Sequence, residues 1–291
     1  MTWLLRNFIK ILCFSVSSMP RRLQLFTGRV LGLIWFYLVP VRRGIALQNL
    51  ALAFPEKTPA DRWKIAKDTF LGFGCGFIEM LMLPYMDDAL LRRLFVFHGR
   101  ENYDKAFFKN KGVFLLTLHL GSWELMSASQ GHVKIPLNVI TKKFKAKSFN
   151  DTWVGLRRDQ GIKLISEEKS TFQILRAIGR GEAVGFILDQ FMGPPVGSRV
   201  QFFGNETGAP ASLALFSDRT RAPVVPVYNV RGEDGKIHVY FEPEIPFVEQ
   251  GSTSKNISFM TQLYTSKLEE IVRKYPSQWL WIHRRWKPFR E

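Results

Sequence analysis

Apolar residues follow two rhythms along this 291-residue chain. As far as Pro84 they recur at helical spacing, whereas from Phe95 onward they gather into short runs separated by amphipathic stretches. The runs at 95–99 (FVFHG), 113–118 (VFLLTL), 137–141 (LNVIT), 162–166 (IKLIS), 183–189 (AVGFILD), 223–230 (PVVPVYNV) and 237–242 (IHVYFE) read as strands. The stretches near 101–109, 123–131, 147–159, 170–179, 209–220 and 254–275 read as helices. Alternation of helices with strands that are apolar on both faces predicts an α/β fold, a mostly parallel central sheet covered by helices. Ligands of such sheets bind beyond the carboxyl ends of the strands. His119 and Asp189 both stand at such ends.

The N-terminal part reads differently. Residues 1–19 carry Arg6 and Lys10, then an uncharged stretch up to Pro20, and a second apolar block follows Arg21 and Arg22. Its uncharged core, Val30 to Val41, is 12 residues long, with Arg29 at its edge. A simple bilayer span needs roughly 20 apolar residues. A second apolar block and further arginines stand where a signal peptide would end in a small-residue cleavage site. The expectation is a membrane-associated helical segment over 1–41, interfacial or tilted, ahead of one domain over 42–291; two ordinary core helices are the alternative. A helix over Arg42–Phe54 stops at Pro55, and another opens at Thr58-Pro59-Ala60-Asp61 with proline in its first turn. Gly72, Gly74 and Gly76 lie inside that second helix without a preceding strand, which points to close helix packing rather than a nucleotide loop.

Composition sharpens this picture in two respects. Apolar residues make up 46% of the chain, enough for a packed core. Lysine and arginine total 41 against 25 acidic residues, a net charge of +16. That surplus suits an anionic partner: a membrane surface, an acidic carrier protein or nucleic acid. Cys13 and Cys75, each in an apolar segment, read as small core residues.

For chemistry, the segment HLGSWE (119–124) draws the eye. With five histidines among 25 acidic residues in 291, a His-x4-acid spacing arises by chance about 0.4 times per chain, so spacing alone says little. Its context says more: a buried strand, a glycine turn and a helix start, so that both side chains can face the cleft. Either His119 is a core histidine bonded to backbone, or Glu124 takes a proton from one ring nitrogen and leaves the other as a base. The sequence holds no G-x-S-x-G elbow, P-loop or H-E-x-x-H site. A base without a resident nucleophile suggests direct transfer to an acceptor hydroxyl. His283 is a rival histidine with no acidic residue near it in sequence.

HLGSWE resembles the His-x4-acid block of glycerolipid and lipid A acyltransferases. RRGIALQNLALAFPE (42–56), LRRDQGIKLI (156–165), ILRAIGRGEAVGFILDQ (174–190), VQFFGNETGAPASLALF (200–216), APVVPVY (222–228) and YPSQWLWIHRRWK (275–287) are similar, in order, to the lipid A late-acyltransferase family. The resemblance covers nearly the whole chain. It implies a glycerolipid-acyltransferase-like fold at the cytoplasmic face of a bacterial inner membrane. It also implies transfer of a fatty acyl group from acyl carrier protein or coenzyme A to a hydroxyl of a phosphorylated glycolipid acceptor, with neither metal nor other cofactor. In that reading His119 is the base and Glu124 orients it, while Arg157 is a phosphate ligand or a solvated helix charge. Asp189 is a substrate-binding acid or a turn aspartate. Lys142 stands near where the family often has arginine and supplies charge. Acceptors such as a lysophospholipid or a phosphatidylinositol mannoside remain open. Trp279, Trp281 and Trp286, among Arg284, Arg285 and Lys287, suit a headgroup interface. They equally suit base stacking by a membrane-tethered nucleic-acid binder, the different-class alternative; the family resemblance implies no nucleic acid. Met192, Phe202 and Phe203 are candidate walls of an acyl pocket, with core packing the alternative for the phenylalanines.

Overall fold

The computed structural model describes residues 3–141, 147–167 and 170–290. Four helices come first: α1 (Trp3–Ser18), α2 (Arg21–Tyr37), α3 (Arg43–Ala53) and α4 (Pro59–Met80). Thr58 closes a capping box with Asp61 at the start of α4, the arrangement that the Thr-Pro-Ala-Asp run encodes. A short α5 (Asp88–Leu94), capped by the Asp87 carboxylate accepting the Leu90 N–H, leads into the sheet.

Strands and helices then alternate as the apolar rhythm predicts: β1 (Phe95–His98), α6 (Arg100–Phe107), β2 (Val113–Thr117), α7 (Trp123–His132), β3 (Leu137–Thr141), α8 (Lys147–Asp159), β4 (Lys163–Ser166), α9 (Ser170–Gly179) and β5 (Ala183–Ile187). A hairpin of β6 (Gly197–Phe202) and β7 (Asn205–Pro210), then α10 (Ser212–Thr220), β8 (Val224–Arg231), β9 (Ile237–Phe241) and α11 (Thr253–Lys274), complete the order. Seven strands form one sheet in the order β1-β9-β8-β2-β5-β3-β4. β8, β2, β5, β3 and β4 run parallel, and β9 turns back antiparallel to β8 with β1 parallel to it. The sheet is therefore mostly parallel, and buried clusters on its two faces form the core.

The β6–β7 hairpin corrects the sequence expectation, which starts a helix at 209. Asn205, Gly208 and Pro210 are poor strand formers, yet Phe203 and Gly204 both take positive φ and turn the chain back in two residues. Contacts to α11 hold the hairpin, with Gln262 bonding both backbone groups of Gln201.

The N-terminal helices are joined to the rest by backbone contact. A Cβ on Gly74 would lie 2.0 Å from the Gly28 carbonyl oxygen, and one on Gly32 2.4 Å from that of Phe70. Gly74 thus packs as the sequence suggests, whereas Gly76 meets nothing and Gly72 only a carbonyl at 3.9 Å. Cys13 and Cys75 are buried. Among the described residues, no helix is long and apolar enough to cross a membrane.

A buried charge cluster reinforces the joint. Glu79 on α4 is fully buried and accepts from Arg21 of α2 and from both Nε and Nη2 of Arg231 on β8. Burial by itself would raise the Glu79 carboxyl, but Arg231 and Arg21 outweigh it and hold it at about 2. A carboxyl depressed in the folded state stabilises it above the ordinary value near 4.5, and that contribution is lost as pH falls toward 2. Glu79→Ala removes the shared anion of two partly buried guanidinium groups and is expected to cost about 3 kcal/mol in denaturant unfolding at pH 7. The difference from wild type should shrink as pH drops below about 4.5.

Candidate active site

The chain leaves β2, buried along its whole length, and turns at Gly121 before α7 begins. Gly121 has φ +59°, and a Cβ there would lie 2.6 Å from Asn229 Oδ1 and 2.7 Å from the Asn229 carbonyl oxygen. Only glycine meets both demands. Asn229, fully buried on β8, fixes the turn by accepting the Ser122 N–H and donating to the Leu120 carbonyl. The Gly121 N–H donates to the Gln278 carbonyl oxygen, pinning the turn to the C-terminal segment.

This geometry aims His119 at Asp189. Thr117 of β2 pairs with Ile187 of β5, so the residues two further along each strand come face to face. His119 Nδ1 lies 2.7 Å from Asp189 Oδ1, and the His119 backbone N–H donates to Asp189 Oδ2 at 2.8 Å. Trp279 Nε1 donates to the same Oδ2 at 2.8 Å. An ionised carboxylate only accepts, so Nδ1 carries the hydrogen and the neutral ring presents Nε2 as acceptor. Nε2 meets no described partner, and 18% of the side chain is exposed against 1% for Asp189. Burial pulls the His119 pKa down, but the charge and hydrogen bond of Asp189, helped by the charge of Glu124, leave it above the ordinary histidine value. Burial likewise pushes Asp189 up, and His119 with the Trp279 donor brings it below the usual carboxylate range.

The carboxylate that orients His119 is therefore Asp189, not Glu124. Glu124, in the first turn of α7, is held by Arg157 from the last turn of α8: Nη2 reaches Oε1 at 2.7 Å and Oε2 at 2.9 Å, and Nε reaches Oε2 at 3.2 Å. Arg157 Nη1 also donates to Thr141 Oγ1. Glu124 acts on His119 only through its charge. Asp189, expected to be a substrate ligand or a turn residue, is committed to the imidazole. Lys142 lies outside the described residues. Among the described residues no group of His, Cys, Asp and Glu is disposed to hold a metal ion.

The C-terminal segment also departs from expectation. Trp279 and Trp281 are buried in an aromatic cluster with Phe202, Phe203 and Trp286, so the first two serve neither a headgroup nor a nucleobase. Asn49 of α3 donates to the carbonyls of Trp281 and His283 and seats this segment beside the site. The sequence marks Trp279 only as part of a tryptophan-rich block suited to an interface, and carries no local sign of the roles of Asn229 and Asn49. Beside Asp189, Leu188, Gln190 and Met192 line a cavity of about 1080 Å³ walled by Ile140, Ile174 and Phe216. Phe202 and Phe203 belong to the core.

Residues 1–288 match the family model described as bacterial lipid A biosynthesis acyltransferase. The chain is 28% identical over 274 residues to a lipid A biosynthesis palmitoleoyltransferase of Escherichia coli K12, covering 93% of this chain and 87% of that protein. It is 26% identical over 280 residues to the lauroyltransferase of the same organism (94% and 88% covered). A phosphatidylinositol mannoside acyltransferase of Mycolicibacterium smegmatis is 22% identical over 213 residues, covering 72% and 67%. With its model matched nearly end to end, the chain belongs to the bacterial lipid A biosynthesis acyltransferase family.

Proposed function

We propose that this protein transfers a fatty acyl group from an acyl thioester, on acyl carrier protein or coenzyme A, to a hydroxyl of a lipid A precursor, with His119 as general base. The observation that carries the reading is the 2.7 Å His119–Asp189 pair with Nε2 left open. Nε2 takes the proton of the acceptor hydroxyl as its oxygen attacks the thioester carbonyl. The carbon–sulfur bond then breaks, and the departing thiolate receives the proton back from the imidazolium. Asp189 fixes the tautomer and stabilises the imidazolium, as an orienting carboxylate does in other base-assisted transfers. Glu124 adds negative charge near the ring and holds Arg157, whose role on this reading is to meet acceptor or donor phosphate, exchanging its bonds to Glu124 for the ligand. The cavity beside Asp189, about 1080 Å³ and lined by Ile140, Ile174, Phe186, Leu188 and Phe216, is the place for hydrocarbon chains.

The acceptor is a membrane lipid, and the N-terminal helices supply a surface to meet it. Phe26, Leu38 and Ile11 are 64%, 76% and 65% exposed, and Phe14 and Val41 project likewise, with Arg22, Arg29 and Arg42 alongside. Apolar side chains flanked by arginine suit insertion at an anionic interface. On this reading the protein works at the cytoplasmic face of a bacterial inner membrane, where the family resemblance puts it.

The test incubates the full-length protein with acyl carrier protein and coenzyme A thioesters and a lipid A precursor. Lysophospholipid and mannosylated inositol lipid serve as competing acceptors. His119→Ala should lower kcat/KM by at least about two orders of magnitude; unchanged acyl transfer in that variant would remove the base. Because His119 must be neutral to act, activity should rise with pH through a value above the ordinary 6.5. Asp189→Asn should move that limb to lower pH while cutting the rate, and Glu124→Gln should move it less, for it acts without a hydrogen bond.

For the membrane surface, Phe26→Glu with Leu38→Glu should weaken co-sedimentation with anionic vesicles at least about tenfold while leaving the fold intact. Equal binding by that double variant would rule out these helices as the contact.

A further inference from the structure

Gly185 is a glycine that its own strand does not need. It stands in the middle of β5, between β2 and β3, and its φ is not positive. A Cβ there would meet Leu137 Cδ1 at 3.6 Å and the Asn138 carbonyl oxygen at 3.8 Å, both ordinary contacts. Glycine inside a strand loses side-chain packing and costs entropy on folding, and it often marks a place where a ligand approaches the backbone. Neither conformation nor a crowding neighbour accounts for glycine at this position.

The cavities around it do. The large one, about 1080 Å³, lies where α9, α10 and α11 cover the sheet, with Ile174, Leu215 and Ile257 in its wall. A second, of about 30 Å³, lies on the opposite face under α7, lined by Leu115, Met126, Ser127 and Leu137. The two share Val139, Gly185 and Ile187. Between them the sheet opens. β3 and β5 pair from Leu137 and Ala183 as far as Val139 and Gly185; beyond that point β3 continues with β4 to Thr141, and β5 with β2 to Ile187. Val139, Gly185 and Ile187 are partly exposed although they belong to inner strands, whereas Val184 and Phe186 are buried.

We propose that Gly185 keeps open a passage through the sheet. The end of a fatty chain lying in the large cavity crosses there between β3 and β5 and seats its terminal methyl in the small cavity, so that residue 185 sets the longest chain the protein accepts. The inference rests on the reading that the large cavity holds hydrocarbon. Asp189 stands four residues beyond Gly185, about 13 Å at the rise of a strand. A chain whose carbonyl lies at His119 therefore runs along β5 before it reaches the passage. Thr117 Oγ1 and Gln130 Oε1, buried without hydrogen-bond partners, border the small cavity and make it a stop, because hydrocarbon pressed against them leaves both groups unsatisfied.

The test reads chain length by binding, without turnover, and then by transfer. Titration calorimetry follows a series of saturated fatty acids lengthened two carbons at a time. In wild type, affinity should climb with length up to a break. Gly185→Val fills the passage; Ser127→Leu fills the small cavity from α7, and Ser127 does not line the large one. Each should move the break to a chain at least two carbons shorter. In acyl transfer, each should lower the ratio of kcat/KM for the longest accepted thioester to that for the next shorter one at least about tenfold. Replacing a strand glycine lowers the entropy of the unfolded chain, and the ordinary contacts at 185 leave room for a Cβ. If valine nonetheless prevents folding, Gly185→Ala carries the same test with a shift in the same direction. An unmoved break in either folded variant overturns the proposal: if Ser127→Leu has no effect, the chain ends inside the large cavity. A wild type that binds no fatty acid sinks the cavity reading and this one together, whereas bound chains with an unmoved break sink this one alone.

Discussion

An imidazole bonded to a buried carboxylate across two neighbouring parallel strands is the interaction around which the structure is organised. Asp189 is taken out of water at the end of β5, which is tolerable only because three donors converge on it: His119 Nδ1, the His119 backbone N–H and Trp279 Nε1. Each donor makes a structural demand. The ring requires that β2 and β5 keep their register, the backbone donor requires the turn at Gly121, and the indole requires that the C-terminal segment lie against the sheet. Asn229, Gln278 and Asn49 meet those demands from β8, the short turn after α11, and α3. Residues far apart in sequence thus converge on one hydrogen-bonded pair.

Buried charge is handled in two ways in the same molecule. Glu79 is saturated by two arginines, a closed cluster that ties α2 and α4 to the sheet. Around His119 the arrangement is open: one acid on the ring and a second acid diverted to Arg157. A closed cluster favours rigidity, whereas an open one leaves a group whose protonation can change during a reaction.

The fold was largely legible because its information is local. Continuous apolar runs separated by amphipathic ones announce a parallel sheet, and Thr58-Pro59-Ala60-Asp61 announces a helix start. The β6–β7 hairpin is not legible there because Asn205, Gly208 and Pro210 argue against a strand and only tertiary contacts override them. At the site, the end of the 113–118 run places His119, and the chain itself offers only Glu124, five residues on, as a partner. The actual partner is set by strand register, Thr117 opposite Ile187, which no single sequence reveals. The tryptophans of WLWIHRRWK suggest surface, because tryptophan beside arginine has that meaning at membranes. Their burial depends on docking of the C-terminal segment, again a long-range fact.

The most direct measurement of the central claim is the proton on His119 Nδ1, observed by NMR as a far-downfield resonance of the imidazolium at low pH. A strong hydrogen bond to a buried carboxylate shields that proton from exchange. The account predicts that the signal persists in Glu124→Gln and disappears in Asp189→Asn. Loss in Glu124→Gln with retention in Asp189→Asn would place the histidine against the other acid and contradict it.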